Sequence, residues 1–162
     1  MSAPLTDTLC LQCGLCCNGV LFADVRRERG DASPLFAQHG PRVAQPCPAF
    51  HSGDCTCALY AERPARCRQF ECKQLVAVRA GTVSAAAALK KIRATKKLAT
   101  EVEAYLAELG FNDIALPLSK RFQGCQRAAE NRKIPVENLD RLADLQLAVH
   151  KLNGLLAQDF YA

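Results

Sequence analysis

No stretch of this 162-residue chain is apolar for long enough to cross a bilayer, which takes about 20 consecutive residues. The opening residues, Met1-Ser2-Ala3-Pro4-Leu5-Thr6-Asp7, lack the basic start and apolar run of an export signal. There is no glycine-rich nucleotide loop after a clear strand, no βαβ pattern and no repeat of fixed period. Aromatic residues do not interleave with the basic residues at 90–97, so base stacking has no support. These absences point away from a membrane protein, an exported framework and a nucleotide enzyme. Nucleic acid is not the expected partner, and the expected setting is the cytoplasm.

Cysteine is what the chain has in abundance. Ten are present, nine between Cys10 and Cys72 and one, Cys125, beyond them. Disulfides are rare in a reducing cytoplasm, where clustered cysteines bind metal or do redox chemistry. A reactive Cys-x-x-Cys would sit on a βαβ unit, and none is visible. Metal binding is therefore the leading reading. It also bears on charge. Eight thiolates and two divalent ions together carry −4, which would bring the formal +5 to +1. The basic balance then offsets ligand charge and is weak evidence for nucleic acid.

Composition shifts near Ala80-Gly81-Thr82. Residues 1–79 form a cysteine-cluster metal-binding region, rich in Pro, Gly and Arg, with little sustained periodicity. Residues 80–162 are rich in Ala, Leu and Lys and form a helical region. Thr82 or Ser84 caps a helix running to about Leu109, with Gly110 as its stop. Its apolar stripe is Leu89, Ile92, Ala99, Val102, Leu106 and Leu109. Residues 111–134 read as irregular. Pro135 suits the first turn of a second helix over roughly 136–158, with Leu139, Leu142, Leu145, Val149, Leu152 and Leu156 recurring every three or four residues. The fold class expected is mainly α with irregular loops, a cysteine-rich metal-binding domain packed on a C-terminal helical hairpin.

The first cluster reads Cys10-Leu11-Gln12-Cys13-Gly14-Leu15-Cys16-Cys17. Two thiolates separated by two residues grip one ion when the chain between them turns tightly, and Gly14 permits a positive φ there. Cys10-x-x-Cys13-Gly14 fits half of a zinc knuckle. Cys10-x-x-Cys13-x-x-Cys16, followed at a distance by Cys47-Pro48, equally fits the opening of an iron–sulfur run. The motif alone does not choose between zinc and iron. Neighbouring side chains diverge, so Cys16-Cys17 favours two metal sites or a polynuclear one over a single mononuclear site. The second cluster holds Cys47, Cys55, Cys57, Cys67 and Cys72 among Arg63, Arg66 and Arg68, which can donate to sulfur or backbone. Tyr60 and Phe70 are placed to shield sulfur from water. His51 is a candidate replacement ligand, although a loop histidine is more often a surface residue. Cys125 reads as a buried or half-buried free thiol.

The whole pattern resembles the CxxCxxCC cysteine-cluster family, a zinc- or iron-chelating domain of YkgJ type. The resemblance rests on Cys10-x-x-Cys13-x-x-Cys16-Cys17, Cys47-Pro48 and Cys57-x-Leu59-Tyr60-x-x-Arg63-Pro64-x-x-Cys67-Arg68-x-Phe70-x-Cys72, over about residues 10–73. It implies that Cys10, Cys13, Cys16, Cys17, Cys47, Cys57, Cys67 and Cys72 are the metal ligands. Cys55 is then an extra cysteine and Cys125 lies outside the pattern.

The function expected is chelation of zinc or iron by cysteine thiolates, in a structural or metal-carrier role. Zinc is the first choice of cofactor, since glycine-containing knuckles suit closed tetrahedral sites. An iron–sulfur oxidoreductase or electron carrier is the alternative. A further alternative is an adaptor that uses Lys90, Arg93 and Lys97, on one helical face, to bind an acidic partner or RNA; a solvated face is the plainer account. No catalytic motif is evident.

Overall fold

The computed structural model describes residues 5–161, and their side chains from Leu9. Residues 1–4, part of the stretch read for an export signal, and residue 162 lie outside the described residues. In chain order the elements are α1 (Leu5–Cys13), β1 (Asp24–Arg26), α2 (Pro34–His39), β2 (Arg42–Ala44), β3 (Phe50–His51), β4 (Thr56–Cys57), α3 (Ala65–Gln69), α4 (Lys73–Arg79), α5 (Ala85–Glu108), α6 (Leu118–Glu130) and α7 (Leu139–Asp159). Single 3-10 turns occupy Tyr60–Glu62 and Val136–Asn138. The fold is mainly α with irregular loops, as the sequence predicts. No described helix is long and apolar enough to cross a membrane.

Helix α5 starts where Ser84 predicts it, because the Ser84 hydroxyl accepts the Ala87 N–H at 3.1 Å. That bond satisfies one of the free donors of the first turn. Its buried face is Ala88, Ile92, Thr95, Ala99, Val102 and Leu106, a spacing of three and four that keeps one stripe inward. Thr95 is tolerated there because its hydroxyl donates to the Lys91 carbonyl at 3.0 Å. Helix α7 answers with Leu142, Leu145, Ala148, Leu152 and Leu156, and α5 and α7 form the most extensive helix pairing. Each fully buried Leu or Ile stabilises this seam by roughly 1.5–3 kcal/mol. Leu139, expected in the stripe, is exposed at the start of α7. The second helix also begins later than expected: Pro135 opens the 3-10 turn, and α7 proper begins at Leu139.

The irregular segment expected at 111–134 is instead largely helix α6. Pro117 stands at its N-cap with extended ψ rather than breaking it. Leu118, Arg121 and Cys125 form its buried face. An arginine in that stripe hid the periodicity. Its charge is accommodated by donating Nε to the Phe111 carbonyl at 2.9 Å. The cysteine region likewise contains short helices that its composition did not announce.

Two apolar clusters organise the molecule. The larger joins α5, α6 and α7 to Leu9, Leu15, Leu21 and Leu75, so it draws on both sides of the composition shift. The smaller holds Val25, Leu35, Phe36, Val43 and Ala49. Val25 and Val43 meet across the antiparallel β1–β2 pair. The chain's end ties the cysteine region to the helices. Lys73 N donates to the Phe160 carbonyl at 3.1 Å, Gln74 Nε2 to the Asp159 carbonyl at 2.9 Å, and the Tyr161 hydroxyl to the Leu21 carbonyl at 2.7 Å.

Candidate metal centre

Cys10 and Cys13 stand one turn apart on α1, so their side chains share a face. Gly14 follows at φ +70°. It turns the chain back so that its carbonyl accepts N–H from both Cys17 and Asn18 at 3.0 Å. Leu15, fully buried, anchors this reversal in the main core. The Cys17 carbonyl accepts the Cys47 N–H at 2.8 Å, and the Cys47 carbonyl accepts that of Phe50 at 2.9 Å. In the β3–β4 hairpin Phe50 lies opposite Cys57. Cys67 rides on α3, whose Ala65 N–H is held at 2.7 Å by the buried Asp31 carboxylate. Cys72 is the N-cap of α4, its sulfur accepting the Leu75 N–H at 3.5 Å.

The result is one cavity of about 400 Å³ whose wall includes all eight sequence-predicted cysteines. Cys55 lines it too. The family spacing set this residue aside, yet its Sγ lies 3.8 Å from Lys96 Nζ, and it would touch any side chain placed at Gly14. Only the fold of the hairpin reveals this, since nothing in the spacing relates Cys55 to Gly14. Cys125 is fully buried on α6, away from the cavity. His51 is exposed on β3 and does not line it. Ile92 of α5 forms part of the wall, as do Phe22, Phe50 and Phe70. Phe22 and Phe70 pack edge to face with centroids 4.8 Å apart.

Burial and crowding hold Cys13, Cys16, Cys17, Cys47 and Cys67 protonated when nothing is bound. Burial first, then the neighbouring sulfurs, push Cys13 and Cys17 up to about 12 and Cys67 to about 11. Cys16 is pushed well above the usual thiol range in the same way, and Cys47 is raised chiefly by burial. The sulfurs acting on Cys13 are Cys72 and Cys10. Those acting on Cys17 are, foremost, Cys47, Cys67 and Cys57. A group of protonated thiols in a low-dielectric pocket is poised to exchange protons for a cation, because coordination removes the charge repulsion that keeps them neutral.

The donor set suits a soft or borderline metal. The two carboxylates on the wall are engaged elsewhere: Asp24 accepts from Arg42 Nε at 2.7 Å, and Glu71 pairs with Arg79. Oxygen-seeking calcium or magnesium would find little to bind. Among the described residues no three side chains of His, Cys, Asp or Glu converge on a single point. The thiols surround the cavity, and rotation about χ1 carries each sulfur between staggered positions. Two lysines next to the Lys90, Arg93 and Lys97 face are engaged within the chain. Lys91 pairs with Asp159 at 2.6 Å, and Lys96 donates to the Gln12 carbonyl at 3.3 Å.

Comparison with known proteins agrees with this chemistry. No curated protein and no solved structure matches the chain. The family model CxxCxxCC, described as "Putative zinc- or iron-chelating domain", matches residues 9–104. That span runs beyond the last clustered cysteine to most of α5, which packs on α1 and supplies Ile92 to the cavity wall. With more than half of its length matched, the chain belongs to the CxxCxxCC family.

Proposed function

We propose that this protein chelates zinc or iron through the thiolates of Cys10, Cys13, Cys16, Cys17, Cys47, Cys57, Cys67 and Cys72, in a structural or metal-carrier role. The observation that supports the reading is the gathering of all eight around one cavity, from two clusters separated by a 29-residue gap. Zinc is the first choice. The bound metal would supply positive charge to thiolates that are otherwise costly to bury, and so would contribute to folding directly. The protein's own residues do the rest. Gly14 turns the first ligand segment, Asp31 holds α3 in place, and Phe22, Phe50 and Phe70 limit water around the sulfurs. A reducing compartment such as the cytoplasm belongs to this reading, because it keeps the ligands as thiols.

An iron–sulfur cluster with an electron-carrier role is the second reading. The breadth of the cavity favours it, since bridging sulfides need more room than a bare ion. Elemental analysis and an anaerobic visible spectrum of the purified protein separate the two. A colourless protein with zinc supports the first reading, and thiolate-to-iron charge-transfer absorption supports the second. Cys13→Ser and Cys67→Ser should each lower metal content; unchanged stoichiometry in both would refute the ligand assignment.

A further inference from the structure

The two sequence clusters do not correspond to two halves of the cavity. Cys13, Cys16 and Cys72 pack against the large apolar cluster. Cys47 and Cys57 pack against the small one. The backbone draws the same line. Cys72 opens α4, which packs on α1, the helix that carries Cys10 and Cys13. Cys17, although next to Cys16 in sequence, is tied by its carbonyl to Cys47 at 2.8 Å. Cys67 sits on α3, which packs beside β1 at the small cluster. The sulfurs that act on it are Cys47 and Cys57.

We infer that the eight thiols form two separate four-sulfur sites, one of Cys10, Cys13, Cys16 and Cys72 and the other of Cys17, Cys47, Cys57 and Cys67. This rests on the chelating function proposed above and deepens it by assigning which cysteines share a metal. The boundary is the Cys16–Cys17 peptide bond. Adjacent side chains diverge there, and Gly14 sets the turn that sends Cys16 inward to the main core and Cys17 toward Cys47. Each site takes three ligands from one sequence cluster and a single ligand from the other, so binding closes a long loop between the clusters. A cation also acts on a thiol of each site: Lys96 on Cys13, and Arg63 on Cys67. A divalent ion with four thiolates carries −2, and a flanking cation offsets part of that charge. The large-core site rests on α1 and α4, which pack on α5. The small-core site rests on short strands and a one-turn helix.

The test is metal content per chain in the reduced, metal-loaded full-length protein. Replacing Cys17, Cys47, Cys57 and Cys67 together by Ser should leave half of the wild-type metal and the helical circular dichroism of the main core. Adding Cys72→Ser to that variant should remove the remaining half. Complete metal loss in the fourfold variant would overturn the partition in favour of one shared polynuclear site. So would retention of the remaining half after Cys72→Ser. Should the fourfold variant lose its helical signal, two pairs make the same decision. Cys57→Ser with Cys67→Ser should halve the metal, whereas Cys57→Ser with Cys72→Ser should remove it; equal losses in the two pairs would overturn the partition. Wild-type protein that binds no metal would refute the chelating function itself, an outcome distinct from all of these.

Discussion

Replacing Gly14 by alanine tests how tightly the ligand turn is built. Gly14 has φ +70°, and a Cβ placed there would lie 2.9 Å from Phe50 Cζ and 3.1 Å from Cys55 Sγ. Two penalties follow. A non-glycine residue in the left-handed region costs roughly 1–2 kcal/mol. Displacing Phe50 off its rotamer costs about 0.5–1.5 kcal/mol more. The combined loss is about 2–3 kcal/mol. Gly81 provides the control, with φ +71° and nothing within 4 Å of its would-be Cβ, so Gly81→Ala should show the backbone penalty alone.

At about 2–4 °C per kcal/mol for a chain of this size, Gly14→Ala should melt roughly 2–4 °C below Gly81→Ala. The comparison is made by thermal unfolding of both variants, metal-loaded and metal-free. Competition with a chromophoric chelator should show weaker metal binding for Gly14→Ala by up to about tenfold, which corresponds to roughly 1.4 kcal/mol. Gly81 lies away from the ligands, so its variant should bind as the wild type does. Gly14→Ala that matches Gly81→Ala in both midpoint and metal affinity would refute the claim that Phe50 and Cys55 close down on this turn.

Three further outcomes are expected. The metal-free protein should lose stability as pH rises. Cys13, Cys17 and Cys67 titrate at about 12, 12 and 11 when folded, against an ordinary value of 9.0, so above pH 9 the unfolded chain releases protons that the folded chain still holds. Denaturant midpoints that stay flat from pH 9 to 11 would contradict this. The raised values of Cys13, Cys16, Cys17, Cys47 and Cys67 imply that metal loading near neutral pH releases protons from these five thiols, measurable in weak buffer. Asp31→Ala removes a buried carboxylate that accepts from Ala65 N at 2.7 Å and Ser33 N at 3.1 Å. It should cost about 2–4 kcal/mol in denaturant unfolding and weaken metal binding through the loosened α3; a change below 0.5 kcal/mol, roughly the level of an ordinary surface substitution, would show that α3 stands without it. Cys125→Ser should leave metal content intact while costing about 1–3 kcal/mol, because it buries a hydroxyl in the apolar core.

Local signals are legible in the sequence. The α5 start was legible because Ser84 caps by a bond to a residue three positions away. The stripes of α5 and α7 were legible because 3.6-residue periodicity survives in any packing arrangement. Helix α6 was not, since Arg121 occupies a core position whose charge only a distant carbonyl can accommodate. The same division applies at the cavity. The family resemblance singled out eight cysteines, and all eight line the cavity. It did not show that Cys55 joins them on the wall, since Cys55 approaches Gly14 only through the β3–β4 hairpin.

The sequence by itself determined the chemistry of this protein: soft thiol donors, a glycine where the ligand chain must turn, and two long amphipathic helices that bury a core. Each of those is a property of residue type and short-range spacing. The tertiary structure decided which segments meet. It brought Cys72 back to α1 by docking α4 beside it, and it carried Cys17 across to Cys47 by a single backbone hydrogen bond. Which sulfurs become neighbours depends on where two apolar clusters bury their side chains, and that long-range preference leaves no mark in the spacing of the cysteines.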